Sequence, residues 1–326
     1  MGSTNVNIFF GRKVAGDPNG AVLITGISGR LGRMVASRAH RDYPVIGIDR
    51  RPFDNPPKDI VVHNIDIRRK RVEKIFRTRP IRAVIHMAII HDPRMNREQH
   101  HSFNVMGTKK ILSYVTRFKI PKVVILSSAN VYGPRPENTQ FLTEGSPLMA
   151  AGRFGDIGDL VLVDLAANTF FWEHPDMETV ILRPTHVVGP VHNAPSNYLR
   201  LKKVPTMMGY DPMVQVIHVE DVVRALLMAL RPGLRGVFNI IGPDPVALSG
   251  LIRAIGKPRL PLPAPLFEEG LRMLWRFRMT SFPPPELDYI RYICTLDGTR
   301  AKKGMGYKAK YRLKDIIDYF KKEQVS

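Results

Sequence analysis

Cysteine is almost absent from this chain of 326 residues: Cys294 stands alone, which excludes an intrachain disulfide and any cysteine-built zinc cluster. That composition suits a reducing cytoplasm, which is the location expected. Long apolar runs are missing as well. No stretch approaches the roughly 18 residues of a membrane span, and the opening MGSTNVNIFFGRKVAGDPNG lacks the apolar core of a signal peptide. Residues 1–20 are expected to form an irregular arm. Acid is scarce, since 29 Asp and Glu face 49 Lys and Arg for a formal charge of +20. An excess of that size permits contact with nucleic acid, anionic lipid or phosphorylated small molecules and selects none of them. No spacing of His, Cys, Asp or Glu suggests a metal, and neither an internal repeat nor a low-complexity tract is present. The length corresponds to about two domain equivalents, with enough apolar residues for a sizeable core.

The apolar residues are grouped in short runs. AVLITG (21–26) ends at glycine, a helical pattern follows over 30–42, and a second strand is expected at PVIGIDR (44–50). Further runs at 60–65, 82–88, 122–128 and 179–184 are nearly continuous in apolar residues, as strands buried on both faces require. Helical patterns occupy 101–118 and 158–173, so strands alternate with helices as in a Rossmann-type, doubly wound parallel sheet. After about residue 190 the rhythm changes. A helix at 220–230 and a strand at 236–241 are set among Pro-rich segments such as PRLPLPAP (258–265) and FPPPE (282–286), and the terminal 313–322 is amphipathic. The expected division is a dinucleotide-binding domain over 21–190, rejoined by 216–241, with 191–215 and 242–326 forming a smaller C-terminal substrate lobe.

Gly26-Ile27-Ser28-Gly29-Arg30-Leu31-Gly32 lies at the first strand–helix junction. Its spacing fits a tight turn at Gly26, close approach of backbone to a pyrophosphate at Gly29, and helix packing at Gly32, with the helix N-terminus directed at the phosphates. Asp49 follows 23 residues after Gly26, at the end of the second strand, where a carboxylate can accept both ribose hydroxyl hydrogens of adenosine. That position favours NAD, because the carboxylate would face the additional 2′-phosphate of NADP. Arg30, Arg50 and Arg51 pull the other way, since guanidinium neutralises such a phosphate.

With this turn in place the chain resembles the extended short-chain dehydrogenase/reductase family, the group of nucleotide-sugar epimerases and dehydratases. The resemblance runs from about residue 20 to 322. Asp66-Ile67-Arg68 is similar to the family segment beside the adenine, and His86-Met87-Ala88 to the HxA segment beneath the cofactor. Asn104-Val105-Met106-Gly107-Thr108 matches the helix motif NxxGT, and Ser127 to Gly133 matches the fifth-strand segment whose second serine, here Ser128, helps position the reacting hydroxyl. Leu182-Arg183-Pro184 with Gly189-Pro190 matches the segment near the nicotinamide, and His218 to Val222 the HVxDV that returns to the sheet. The resemblance implies that Gly26, Ser28, Gly29, Arg30, Leu31, Gly32, Asp49, Arg50, Asp66, Ile67, Met87, Ala88, Asn104, Ser127 and Pro184 bind the cofactor. It also implies a homodimer through the helices beginning near 101 and 158.

One departure from the family bears directly on chemistry. Active members carry Tyr-x-x-x-Lys on the helix after the fifth strand, where the phenolate moves a proton as hydride moves, and the ammonium lowers the tyrosine pKa. Aligned on Asp164-Leu165-Ala166-Ala167, that helix here has Leu160 for the tyrosine and Asp164 for the lysine. Leucine exchanges no proton, and an aspartate raises a neighbouring phenol's pKa. In this the chain resembles a bacterial UDP-glucose 4-epimerase-like subgroup that keeps the NAD motif and lacks the active-site tyrosine. Tyr198 and Lys202 fit the pattern literally but lie past the sixth strand, where a substrate or surface contact is expected. The remaining candidates for chemistry are Ser128, His186 in the loop beside the nicotinamide, and Tyr132 if its hydroxyl faces the sugar. His91, His100 and His101 cluster at the expected substrate edge.

Seven cations between Arg68 and Arg79, relieved only by Glu73, give the helix after the third strand a charge of +6. This is a solvated face or a weak contact for anionic membrane surfaces; a recognition-helix pattern for specific nucleic-acid binding is missing. LFEEGLRMLWRFRM (266–279) mixes apolar and arginine residues, reading as a helix that caps the substrate lobe, with membrane binding as its rival. The expected function is an NAD-dependent epimerase/dehydratase-like oxidoreductase acting on a nucleotide sugar from a non-standard active site. The alternative is a catalytically silent NAD-binding sensor or scaffold.

Overall fold

The computed structural model describes residues 20–92, 94–152, 155–280 and 282–324, so the arm expected over 1–20 lies, apart from Gly20, outside the described residues. The first half alternates strand and helix. In order come β1 (Ala21–Thr25), α1 (Arg30–Ala39), β2 (Val45–Asp49), β3 (Ile60–Asn64), α2 (Arg71–Thr78) and β4 (Ile81–His86). A bent helical segment follows, with α3 (Arg97–His101) and α4 (Gly107–Arg117) joined by a π-helical turn at Ser102–Met106. Then come β5 (Lys122–Leu126), α5 (Gly155–Glu173) and β6 (Glu178–Pro184).

The smaller elements of the second half are β7 (His186–Val188), α6 (Ala194–Arg200), β8 (Val204–Met207), β9 (Met213–Val214), β10 (Val216–His218), α7 (Val219–Met228), β11 (Gly236–Ile240), β12 (Val246–Ala247), α8 (Leu248–Ala254), β13 (Arg259–Leu262), α9 (Ala264–Arg276) and α10 (Leu313–Glu323). The Pro-rich segment at 258–265 contains a strand, since Arg259–Leu262 pairs in parallel with Val204–Met207. Prolines are tolerated there because the pair is two-stranded and each strand is an edge.

Seven strands form one parallel sheet in the order β11-β6-β5-β4-β1-β2-β3. This is the doubly wound arrangement, and β1 and β4 flank the point at which the winding reverses. Side-chain alternation supplies both faces. Val22, Ile24, Val124, Val180 and Leu182 join the core beneath α1 and α7. Leu23, Val123, Ile125 and Ile181 join the opposite core with α4 and α5 residues such as Ile111, Val115 and Phe170. Continuous apolar runs in the sequence therefore follow from burial on both sides. A third core, with Leu199, Leu251, Phe267, Leu271, Ile290 and Phe320, holds the late segments together. The crevice at the carboxyl ends of β1 and β4 is where a sheet of this topology takes its ligand.

Candidate functional site

At the end of β1 the backbone turns at Gly26, whose φ of +78° lies in the left-handed region that favours glycine. A Cβ on Gly26 would sit 2.8 Å from the backbone of Met87, so the turn rests directly on the chain leaving β4. Gly32 is equally constrained, since its Cβ would lie 2.2 Å from the Gly26 carbonyl oxygen, and that fit seats α1 on the turn. Gly29 is the N-cap of α1. It offers no side-chain cap, and the first helical turn carries no acid, which leaves amide groups and positive dipole facing the crevice. A Cβ at Gly29 would meet the Gly26 carbonyl oxygen at 3.2 Å and Arg51 Nη2 at 3.3 Å, so the glycine keeps a narrow approach open. These features fit a pyrophosphate group.

Asp49 ends β2 nearly buried beside this turn. Ser28 N donates to its Oδ2 at 3.1 Å, Arg51 N donates to its Oδ1 at 2.9 Å, and Ser28 Oγ donates to the Arg51 carbonyl at 2.9 Å. The carboxylate is thus oriented by backbone donors and needs no mobile side chain to hold it. Arg30 and Arg50 are exposed, and the Arg50 guanidinium lies 5.4 Å from the Phe103 ring centroid. On the neighbouring strand end Arg68 grips Asp66 through Nε at 3.0 Å and Nη2 at 2.7 Å. Burial raises the Asp66 pKa, but hydrogen bonds and charge from Arg68 outweigh it and hold the carboxyl below its usual value.

Several of the residues expected at the cofactor hold the wall of the crevice in place. Asn104 is fully buried, and its amide clamps Ile90, donating to the carbonyl at 2.9 Å and accepting from the N–H at 2.8 Å. Ile67 is buried in the core and packs where a Cβ on Gly107 would stand. Ser127 Oγ donates to Asp164 Oδ2 at 2.5 Å. Met87, Ala88, Leu31 and Pro184 lie on the turn, the strand ends and the first helical turn around the crevice. Beneath them His86 bridges Thr25 at 2.7 Å and Thr108 at 2.9 Å. Because Thr108 Oγ1 donates to the Asn104 carbonyl at 2.5 Å, His86 carries its proton on Nε2 and accepts from Thr25 on Nδ1. Burial lowers the His86 pKa to about 4, so it is neutral.

Leu160 and Asp164, expected at the family's tyrosine and lysine positions, are both buried. Leu160 is buried in an apolar cluster with Ala129, Val131 and Tyr132. Asp164 has no exposure; Arg183 donates to it through Nε at 2.9 Å and Nη2 at 2.6 Å, and Asn168 Nδ2 donates at 2.7 Å. An aspartate so engaged is a core group with its carboxylate committed to Arg183 and Asn168. Tyr132 requires a correction as a candidate acid or base. It is buried, donates to Asn239 Oδ1 at 2.8 Å, accepts from Arg183 Nη1 at 2.7 Å, and burial pushes its phenol up to about 12. Ser128 remains near the crevice, its Oγ accepting from Asn130 N at 3.1 Å as the cap of a 3-10 turn.

His186 lies in β7 and lines an apolar pocket with Asn130, Tyr198, Leu199, Phe282 and Tyr289. Its ring meets Tyr289 edge to face at 5.4 Å, and burial lowers its pKa to about 4. It is therefore a neutral acceptor and a poor proton donor near pH 7. Tyr289 belongs to no motif in the sequence. Its hydroxyl donates to the Asn130 carbonyl at 3.2 Å, across 159 residues of sequence, and no local pattern signals that meeting. Tyr198 and Lys202 do not form a pair: α6 ends at Arg200, Tyr198 donates to the Pro205 carbonyl at 2.7 Å, and Lys202 is exposed beyond the helix. His100 and His101 both turn to Asp159 on α5, at 2.6 and 2.8 Å, and so tie helices together. Among the described residues no group of three or more His, Cys, Asp or Glu side chains is arranged to hold a metal ion.

Residues 22–240 match the model of the NAD dependent epimerase/dehydratase family. An uncharacterized Mycobacterium tuberculosis protein is 28% identical over 319 residues, covering 92% of this chain and 83% of its own length. A UDP-glucose 4-epimerase of Dictyostelium discoideum is 31% identical over 139 residues, covering 40% of this chain and 38% of that one. Among solved structures, UDP-glucose 4-epimerase from Thermotoga maritima with UDP-glucose superposes with a TM-score of 0.73 at 20% identity, over 93% of this chain and 99% of the other. UDP-glucuronic acid 4-epimerase from Bacillus cereus, in complex with UDP-glucuronic acid and NAD, gives 0.70 at 17% over 94% and 100%. At these identities the structural matches establish a shared fold.

Proposed function

The chain belongs to the NAD dependent epimerase/dehydratase family, and from that premise we propose that it binds NAD(H) and acts as an oxidoreductase on a nucleotide sugar without the Tyr-x-x-x-Lys pair. The observation that carries the reading is the juxtaposition of the uncapped α1 N-terminus at Gly29 with the backbone-held carboxylate of Asp49. The amides of the turn bind the pyrophosphate, and Asp49 accepts from the adenosine ribose. Bound there, the nicotinamide supplies hydride acceptance and return. Ser128 orients the reacting hydroxyl, and neutral His186 accepts its proton. The UDP-sugar ligands of the Thermotoga and Bacillus proteins support a nucleotide sugar as the substrate class. Homodimer formation through the α4 and α5 faces, where Leu162 and Leu165 are exposed, belongs to the same proposal.

A second reading, a cofactor-binding sensor without turnover, is favoured by one observation: Leu160 and Asp164 are both sealed in the core, one in apolar packing and the other on Arg183. The two separate in one experiment. Purified protein is incubated with NAD and a panel of nucleotide sugars while NADH absorbance and sugar isomers by NMR are followed. Turnover that disappears in His186→Asn supports the enzyme. Inertness across the panel with NAD bound supports the sensor, and failure to bind NAD overturns both.

A further inference from the structure

Helix α9 carries two apolar stripes, and the described residues cover only one. Phe267 and Leu271, one turn apart, are buried in the lobe core. The other stripe is Leu266, Met273, Leu274 and Phe277, spaced i, i+7, i+8 and i+11 along one helical face, and it points outward. Leu266 is 69% exposed, Phe277 67% and the following Met279 74%. Single exposed apolar residues are ordinary, whereas a contiguous set marks a surface that meets something. Contiguity is evident here: Leu201, Leu260, Leu266, Leu274 and Met279 line one groove together with Lys203.

The helix ends abruptly. Arg278 adopts φ +59°, Arg278 N donates to the Trp275 carbonyl at 3.0 Å, and Met279 N donates to the Leu274 carbonyl at 2.8 Å. A left-handed arginine at a helix end, where glycine is the usual residue, fixes Phe277 and Met279 outside the lobe.

The rim of this face is basic. Arg276 and Arg278 flank Phe277, Lys202 and Lys203 follow Leu201, and Arg259 precedes Leu260; all are exposed. The acids on α9 are engaged elsewhere or neutralised, since Glu268 pairs with Arg291 and Glu269 with Arg272. Charge complementarity then selects the occupant. A second copy of this chain would bring one basic rim against another, and a neutral apolar partner would leave the cations without counter-charge. A flat anionic surface with an apolar interior meets both needs, with side chains inserted below the headgroups and guanidinium groups among them.

We infer that the Leu266–Phe277–Met279 face of the C-terminal lobe docks peripherally on an anionic lipid bilayer. The inference is independent of cofactor binding and turnover. The membrane-facing groove shares Ala194, Tyr198 and Phe282 with the pocket that reaches His186, so docking sets the apolar side of that pocket at the lipid surface.

Flotation of the full chain with vesicles of phosphatidylcholine, alone or with phosphatidylglycerol, tests it. Binding is expected only with phosphatidylglycerol, and the double variant Leu266→Asp with Phe277→Asp should lower partitioning by about tenfold or more. Arg276→Glu with Arg278→Glu should lower it comparably, while Lys70→Glu with Arg71→Glu, preceding and opening the basic helix α2, should leave it within about twofold. Thermal melts verify folding; Phe277→Ser replaces the aspartate pair should that variant not fold. Four results would each overturn the inference: no binding by wild type, equal binding by the α9 variants, loss in the α2 variant alone, or an α9-dependent self-association in place of vesicle binding.

Discussion

Arg183 and Asp164 meet inside the protein as a two-pronged ion pair, Nε to Oδ2 at 2.9 Å and Nη2 to Oδ1 at 2.6 Å, with both side chains almost wholly removed from solvent. The pair joins the end of β6 to α5 and holds Ser127 and Tyr132 through further hydrogen bonds. Burial lowers the Arg183 pKa, but Asp164 more than compensates and the guanidinium stays charged. Asp164, expected from the family resemblance at the lysine position, is therefore a structural charge. Its removal tests stability before it tests chemistry.

Replacing either partner strands the other in the core. Arg183→Met and Asp164→Leu are each expected to cost about 3–5 kcal/mol in urea unfolding, and the double replacement to recover most of that loss. Losses below about 1 kcal/mol for the single variants would mean that water reaches the pair.

Gly29→Val should abolish NAD(H) binding in calorimetry while circular dichroism remains that of the wild type. Backbone strain is not the reason, because Gly29 has φ −66°; the side chain fills the approach between Gly26 and Arg51. Retained affinity in a folded variant would place the dinucleotide elsewhere.

Asp49→Ala should weaken NAD(H) about ten- to hundredfold, the scale of hydrogen bonds to a charged group. The wild type should bind NAD(H) more tightly than NADP(H). Equal or tighter binding of NADP(H) would show that Arg51, whose Nε lies 3.4 Å from Asp49 Oδ1, redirects the specificity.

His186→Asn should reduce turnover about 10²-fold or more if the imidazole is the base, whereas Leu160→Ala should leave it nearly unchanged. Burial places the His186 pKa near 4, so the acid limb of kcat/KM should fall there and not near 6.5. An acid limb at 6.5, or undiminished turnover in the variant, would remove His186 from the chemistry.

His86 makes a prediction about stability. Its pKa is about 4 in the folded chain against 6.5 when exposed, so the unfolded state binds the extra proton first. Stability should therefore fall as pH drops from 6.5 toward 4, by on the order of 3 kcal/mol, and this contribution should level off below 4. His86→Gln should remove this share of the slope and leave that of His186, whose pKa burial also lowers to about 4; an unchanged profile would show the proton being taken up elsewhere.

The division between sequence and tertiary structure follows the range of the forces involved. The strands were legible because burial on both faces demands continuous apolar runs, and the phosphate turn because the left-handed φ of Gly26 and the packing of Gly32 on the Gly26 carbonyl are set within a few residues. Helix ends were less so: the π-helical turn at Ser102–Met106 and the short strand at Arg259–Leu262 depend on packing against distant segments. The same limit governs the candidate site. Sequence alone determined that the chain has a dinucleotide-type glycine turn with Asp49 behind it and no Tyr-x-x-x-Lys on the helix after β5. Only tertiary structure decided that Tyr132 turns inward to Asn239, that Asp164 belongs to Arg183, and that Tyr289 reaches His186. Residue type and spacing specify what a side chain is able to do, but its protonation and its partners are set by the desolvation and neighbours that long-range folding brings to it.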